Sequence, residues 1–578
     1  MGIYTERDIG KWTAAAFVAA AFVVLCGIRL VGAGDLELMS SEVVPAATAA
    51  EFSLRTPLLV RLHGWATPEC FPLFPLVTRL LCDLLPELPV ESVLRGLSIL
   101  MLGAGAVMVY FAASSRRNPT AGLVAAAMYS TSFLALGTAT EGTPATTNAF
   151  LVSAAQLVFF QYGVRRSDWD RAWIFSGLLA AIGFLSGGFT VLLFFVFPML
   201  FFRRPLSVSS KFRRPGFAVA VAIVALTSLA WSGAFTSELR QISPYEVWWS
   251  QLSEVRPGWR LLAFPFALFF WLLPWSVIAW LPFCVALQDL DQTPIYSRYL
   301  RTLVFSTLGL LWLLPELGRF GLFYALAPLS VLTGRTYELG MRRYGGRLRN
   351  FLTVAEWFML AVPAVIAAGC FLPSRFIEAV PSNWLSLDLT LKFRDAPYFE
   401  VAAAALLLAA VVLAFYVHRS RRSDPVWMIL LAVSVAAALF WNGLNFPYKA
   451  QDHSKRDFGE DIRKAMRDGA PRRIIYTRNI RNLTGELFYA GFPVRRLAAA
   501  DELPADEGEV YLLSRDFPQS AAYSWENLLP KYYSYNRRPL MLWKGTSPRP
   551  VPDGGEISSA DREPAAQDDP TELKTEKK

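Results

Sequence analysis

The amino-acid sequence predicts a polytopic α-helical membrane protein of about 13 transmembrane helices, followed by a C-terminal extracytoplasmic α/β domain. Three observations predict it. The 578 residues are 54% hydrophobic and only 18% charged, too apolar for a soluble chain of this size. Apolar runs long enough to cross a bilayer recur along the first three quarters of the chain. The last quarter changes to alternating strand-like and helical patterns, then to a polar tail.

The runs are read in order near residues 12–33, 95–114, 120–138, 148–164, 172–187, 189–202, 216–235, 260–286, 300–316, 319–334, 351–372, 400–417 and 425–443. The first, Trp12 to Val31, is long enough for a full span and carries no cleavable-signal pattern. Between 172–187 and 189–202 the residues Leu185 to Phe189, LSGGF, read as a turn or a kink. No repeat of 20–50 residues and no two-half symmetry is apparent, which sets the chain apart from many secondary transporters.

Arginines and lysines fall on one side of these spans: Arg7 and Lys11, Arg116 and Arg117, Arg165, Arg166 and Arg171, Arg203 to Arg214, the expected loop with Arg342, Arg343, Arg347 and Arg349, and Arg419 to Arg422. That side is cytoplasmic by the positive-inside rule. The net charge of +9 therefore sets orientation and does not imply nucleic acid. An odd number of crossings leaves the N-terminus cytoplasmic and everything after about Asn445 outside. The domains expected are 1–445, a transmembrane module with an outer loop at 34–94; 446–546, a periplasmic α/β domain; and 547–578, a disordered tail without large apolar residues to offset the entropy of ordering.

Chemistry-bearing patterns are sparse. The five cysteines have no CxxC spacing and the three histidines are scattered, which argues against a metal cluster; a Cys70–Cys82 bridge stays open. No P-loop, GxGxxG, HExxH or GxSxG is present. What stands out is GAGDLELMSSEVV, residues 32–44, directly after the first span. Asp35 there would lie at the membrane interface, where partial desolvation tunes a carboxylate. It serves equally as the cap of a helix from Leu36, with Glu37 in the first turn; the two roles are compatible. Glu37 and Glu42 read most simply as a solvated helix face.

The blocks then fall into an order. An aspartate follows the first span, and CFPLFPLVTRL follows in the first outer loop. SGGFTVLLFFVFPML stands in the middle, LPELGRFGLFYALAPLSVLTG precedes a basic stretch, and GELFYAGFPVRRL lies in the outer domain. In this order the chain, over roughly residues 5 to 545, resembles the GT-C glycosyltransferases of the aminoarabinose transferase and protein O-mannosyltransferase type. The resemblance implies an inverting transfer of a sugar from a polyprenyl-phosphate donor to an extracytoplasmic acceptor. It implies that Asp35 is the catalytic base, with Glu37 near the position of the family's acidic follower. A second acid is expected in the next outer loop, where Glu141 stands two or three residues from the family position, or else caps the helix beginning near Pro144.

Relatives place a lysine before the Pro-rich segment; here Cys70 or Phe71 stands in its place, and Arg61 and His63 are the nearest cationic candidates. Arg319, in ELGRF, is expected to hold the donor phosphate, because a guanidinium offers a planar fork and stays charged. A snorkelling arginine, or one paired with Glu316, is the plainer account. The partners implied are a polyprenyl-phosphate sugar and a lipid, glycan or protein acceptor such as lipid A, in a bacterial inner membrane. No cofactor is required, and a divalent cation is left open. The alternatives are a transporter or flippase of lipid-linked sugars, and an inactive GT-C scaffold.

Overall fold

The computed structural model describes residues 36–114, 119–138, 141–202, 208–236, 260–291, 293–314, 318–370 and 426–440. In the C-terminal part it describes 455–466, 474–478, 483–497, 509–514, 523–533 and 539–547, with a few isolated positions between. The expected spans at 12–33 and 400–417 and the expected tail lie outside the described residues.

In chain order the elements are α1 (Ser40–Ala50), the pair β1 (Arg61–Leu62) and β2 (Trp65–Ala66), α2 (Leu73–Leu84), α3 (Val90–Ala113), α4 (Pro119–Thr131), α5 (Phe133–Thr138) and α6 (Ala145–Phe159). There follow α7 (Trp169–Val196), α8 (Pro215–Thr236), α9 (Arg260–Trp271), α10 (Ser276–Ala279), α11 (Pro294–Leu313), α12 (Gly318–Cys370) and α13 (Val426–Phe440). The C-terminal elements are α14 (Arg456–Met466), β3 (Ile475–Arg478), α15 (Thr484–Ala490), β4 (Val494–Leu497), β5 (Glu509–Ser514), β6 (Ser524–Tyr533) and β7 (Pro539–Thr546). The chain divides into two compact units. One comprises residues 1–42, 80–228 and 251–452; the other comprises 43–79, 229–250 and 453–578.

The first unit is helical. Among the described residues Val90–Ala113, Trp169–Phe201 and Pro215–Thr236 are long and apolar enough to cross a membrane. The bent pair Ala263–Trp271 and Ser276–Phe283, meeting at 114°, adds a fourth if it is one span. Its core joins Leu102, Val124, Met128, Phe159, Phe194 and Trp275, all buried. The helices approach closely because small residues line the contacts: a Cβ on Gly334 of α12 would lie 2.2 Å from the Ala121 carbonyl oxygen of α4. This is how helices associate where lipid supplies no hydrophobic drive between them.

LSGGF is a sharp turn. Gly188 has φ 63° and ψ −146°, a combination that essentially only glycine adopts. A Cβ on Gly183 would meet Val191 Cγ1 at 2.6 Å. On a straight helix those positions would be about 12 Å apart, so the second half of α7 folds back on the first. Trp169–Phe201 is accordingly two short arms and not one long rod.

The sequence places a basic loop between spans 319–334 and 351–372. The structure corrects this: α12 runs through it, and only Tyr344 leaves helical values (φ −117°, ψ 16°). The segment is rich in Arg, a good helix former. Glu338 and Arg342 also pair one turn apart.

In the second unit His63 and Gly64 both take positive φ, 56° and 77°, as a two-residue primed hairpin turn between β1 and β2 demands. The C-terminal sheet has the order β4-β3-β5-β7-β6. β3 runs parallel to β4 and β5, while β7 runs antiparallel to β5 and β6. The strand period of two divides its side chains between two faces. Ile475, Tyr511, Leu513 and Leu542 pack with Phe458, Ile462 and Leu487 of the helices. Tyr476, Val510, Leu512 and Trp543 form the core of the opposite face. Val510 to Leu513 run continuously apolar because β5 is covered on both faces. Cys70 and Cys82 form no disulfide bridge with each other.

Candidate functional site

The site forms in the first unit where the chain enters α1. Residue 36 is a bend, 37–39 carry no regular secondary structure, and the helix starts at Ser40. Glu42, in the first turn, carries its carboxylate back to the Met39 backbone N–H at 2.8 Å, satisfying one of the donors a helix start leaves open. The side chain is fully buried (0% exposed). This corrects the expectation of a solvated helix face.

The reason is Arg95. This residue sits one turn into α3, within VESVLRGLSIL, and is 1% exposed. Its Nε donates to Glu42 Oε1 at 2.9 Å and its Nη2 to Oε2 at 2.7 Å. The fork also donates to two backbone carbonyls, Leu36 at 3.0 Å from Nη1 and Glu37 at 2.8 Å from Nη2. Glu42 Oε1 accepts a further bond from the Gly142 N–H at 2.7 Å. A buried charge needs such complete pairing. The cluster thus pins the segment just after Asp35 to the start of α3 and to the loop before α6.

That loop holds Glu141, only 4% exposed. Its Oε2 accepts from Ser41 Oγ at 2.7 Å, and Oε1 accepts from Arg319 Nη2 at 2.5 Å. Arg319, at the start of α12, keeps its side chain 25% exposed. Its guanidinium lies 5.9 Å from the Trp271 ring centroid and 5.1 Å from that of Phe320. Burial pushes the Glu141 carboxyl above its ordinary range, and Glu42 adds to this; Arg319 and Ser41 pull it back without cancelling it.

Two of the residues expected from sequence therefore meet: Glu141 and Arg319, 178 positions apart in the chain. Glu37 is half-buried and joins through its carbonyl. Arg61 and His63 belong to the second unit. There Glu51 accepts from the His63 and Gly64 backbone N–H groups at 2.8 and 2.9 Å, and so holds the hairpin turn. Asp35 and Glu316, and with it the plainer Arg319–Glu316 pairing, lie outside the described residues.

Sequence reading missed Ser41, Glu42 and Arg95. The usable signal was Arg95 itself: an arginine inside an apolar run must find a buried partner. Among the described residues no group of three or more His, Cys, Asp or Glu could hold a metal ion.

Residues 67–231 match the dolichyl-phosphate-mannose-protein mannosyltransferase family. Among solved structures, ArnT from Cupriavidus metallidurans bound to undecaprenyl phosphate superposes with a TM-score of 0.65 at 16% identity, covering 92% of this chain and 98% of that one. The apo state of the same protein gives 0.63 at 14% identity with the same coverage. The Archaeoglobus fulgidus oligosaccharyltransferase in its apo form gives 0.41 at 10% identity, over 87% of this chain and 69% of that one. No curated protein matches the chain in sequence.

Proposed function

From a chain that carries the GT-C glycosyltransferase fold of the aminoarabinose-transferase type, we propose that this protein is a membrane glycosyltransferase. It moves a sugar from a polyprenyl-phosphate donor to an acceptor on the extracytoplasmic side. The observation that carries this reading is the Arg319–Glu141–Ser41 chain of contacts. It sets a partly exposed guanidinium beside the loop that follows Asp35, in a membrane-spanning helical unit.

In the proposed reaction the donor's phosphate lies on Arg319, whose fork retains N–H groups beyond the one given to Glu141. Asp35 accepts the proton of the acceptor hydroxyl as its oxygen attacks the anomeric carbon. The bond from that carbon to the phosphate oxygen breaks with inversion, and polyprenyl phosphate leaves with the electron pair. Arg319 stabilises the negative charge on the departing phosphate. Glu141 holds Arg319 in place and keeps the local charge balanced, while Arg95 and Glu42 fix the backbone next to Asp35. No step requires a cation. Lipid, glycan and protein acceptors fit this chemistry equally, and Arg61 is a further phosphate-binding proposal from the sequence alone.

The test is transfer from undecaprenyl-phosphate sugars by the purified protein in proteoliposomes. Asp35→Asn should insert normally, bind undecaprenyl phosphate and lose transfer. Unchanged transfer in that variant would remove Asp35 as the base. Movement of the labelled lipid between leaflets without product would replace the transferase with a flippase.

A further inference from the structure

A second feature of the helical unit lies away from this site. One face of α11 presents Arg298, Arg301, Phe305, Gly309 and Trp312, spaced three or four residues apart, along a groove of about 1100 Å³. That exceeds the ~300–1,000 Å³ of sites for drug-sized ligands. The stripe from Arg298 to Trp312 is ~21 Å long.

The groove is polarised along its length. Gln288, Arg298 and Arg301 line it at the N-terminal end of α11. Phe305 and Trp312 continue it with apolar surface, 59% and 49% exposed. The Arg301 Nε is buried and has no hydrogen-bond partner among the described residues. Nearby Asp291 accepts from the Thr293 N–H at 2.9 Å and faces Arg335 at 3.9 Å, both through Oδ1, while its Oδ2 has no hydrogen-bond partner among the described residues. With Arg335 facing that one carboxylate, Arg298 and Arg301 leave the mouth a surplus of positive charge.

Its position relative to Arg319 follows from the helices. Arg335, well along α12, hydrogen-bonds Thr293 and lies 5.0 Å over the Tyr296 ring at the start of α11. α11 and α12 thus run antiparallel. The basic mouth sits at the end opposite Arg319, which the sequence assigns to the cytoplasmic side.

We propose that this groove binds an anionic glycerophospholipid, with its phosphate on Arg298 and Arg301 and an acyl chain along Phe305, Gly309 and Trp312. Two guanidiniums close together favour a headgroup without a cation of its own. A zwitterionic lipid would bring its ammonium group against the second arginine. An apolar length continuous with a cationic end is what such a lipid needs. A free phosphate would use only the mouth.

The test is native mass spectrometry of the full chain, released from nanodiscs of phosphatidylglycerol or phosphatidylcholine with identical acyl chains. Wild type should retain phosphatidylglycerol about tenfold more than phosphatidylcholine. Arg298→Gln with Arg301→Gln should abolish that preference. Gly309→Phe tests the apolar length without touching the arginines. A Cβ at Gly309 meets no atom within 4 Å, so the ring can fill the groove without disturbing the fold, and retention of both lipids should fall. Unchanged elution in size exclusion certifies each variant as folded.

Equal retention of the two lipids by wild type overturns the proposal, as does unchanged retention in both variants. Displacement of phosphatidylglycerol by undecaprenyl phosphate at equimolar amounts would assign the groove to that lipid and overturn it too. None of these readouts uses sugar transfer, so the proposal stands or falls apart from the transferase reading.

Discussion

The carboxylate of Glu42 is gripped by both arms of the Arg95 guanidinium, Nε at 2.9 Å and Nη2 at 2.7 Å, with both side chains out of contact with water. Desolvating two charges is costly, and their attraction offsets that only if the remaining donors and acceptors are used. Here they are: the backbone of Leu36, Glu37, Met39 and Gly142 takes up the rest. The pair ties three stretches of chain, one of them the residues that follow the proposed base in sequence.

Removing one partner strands the other. Arg95→Met should cost about 3–5 kcal/mol of stability, because it leaves a buried carboxylate without its counter-charge. Pairing it with Glu42→Met should recover much of the loss. Thermal unfolding in detergent of the two single variants and the double variant measures this. Additive losses would show that the two residues do not act as a pair.

Arg319→Ala should weaken binding of undecaprenyl phosphate about 10- to 100-fold, the loss of a charge-assisted two-point contact. Arg319→Lys should recover only part, since an ammonium keeps the charge but not the fork. Tryptophan fluorescence or microscale thermophoresis with the lipid phosphate would read it. Unaltered affinity in Arg319→Ala would confine Arg319 to pairing with Glu141.

Glu141 should make stability depend on pH. Its folded carboxyl titrates above the ordinary range because it is buried. The neutral acid is thus favoured by folding, and that contribution is complete below the unfolded value of ~4.3. It fades as pH rises through the folded value. The melting temperature of wild type minus that of Glu141→Gln should therefore fall from pH ~4.3 upward. A difference flat with pH would contradict the assignment.

Gly188→Ala should destabilise the protein by about 1–3 kcal/mol, since φ 63° with ψ −146° excludes a Cβ. Gly309→Ala, on a regular helix with open space beside it, should be neutral or stabilising. Similar unfolding temperatures for the two variants would argue against the fold-back at Gly188.

Much of the helical layout was legible because a bilayer leaves few options. Runs such as 95–114 and 216–235 must be helical to satisfy their own backbone in lipid. They appear as Val90–Ala113 and Pro215–Thr236. In the last quarter the strand-like segments RRIIYTR and GEVYLLS also surfaced as strands β3 and β5. The basic stretch around Arg342 misled, because a run of charge does not by itself mark a loop. Helix propensity and an i,i+4 pair carried α12 through it.

The site divides in the same way. The family resemblance together with residue type singled out Glu141 and Arg319, a carboxylate and a guanidinium at the edges of apolar runs, where an ion is expensive unless it is used or paired. Which ion meets which was decided by tertiary structure. Arg319 meets Glu141, 178 positions away, and Glu42 went inward to Arg95, 53 positions on. Local sequence carries the period of a helix and the cost of a buried charge. It does not carry the distance between two helices, and pairing in a low-dielectric interior is set by that distance.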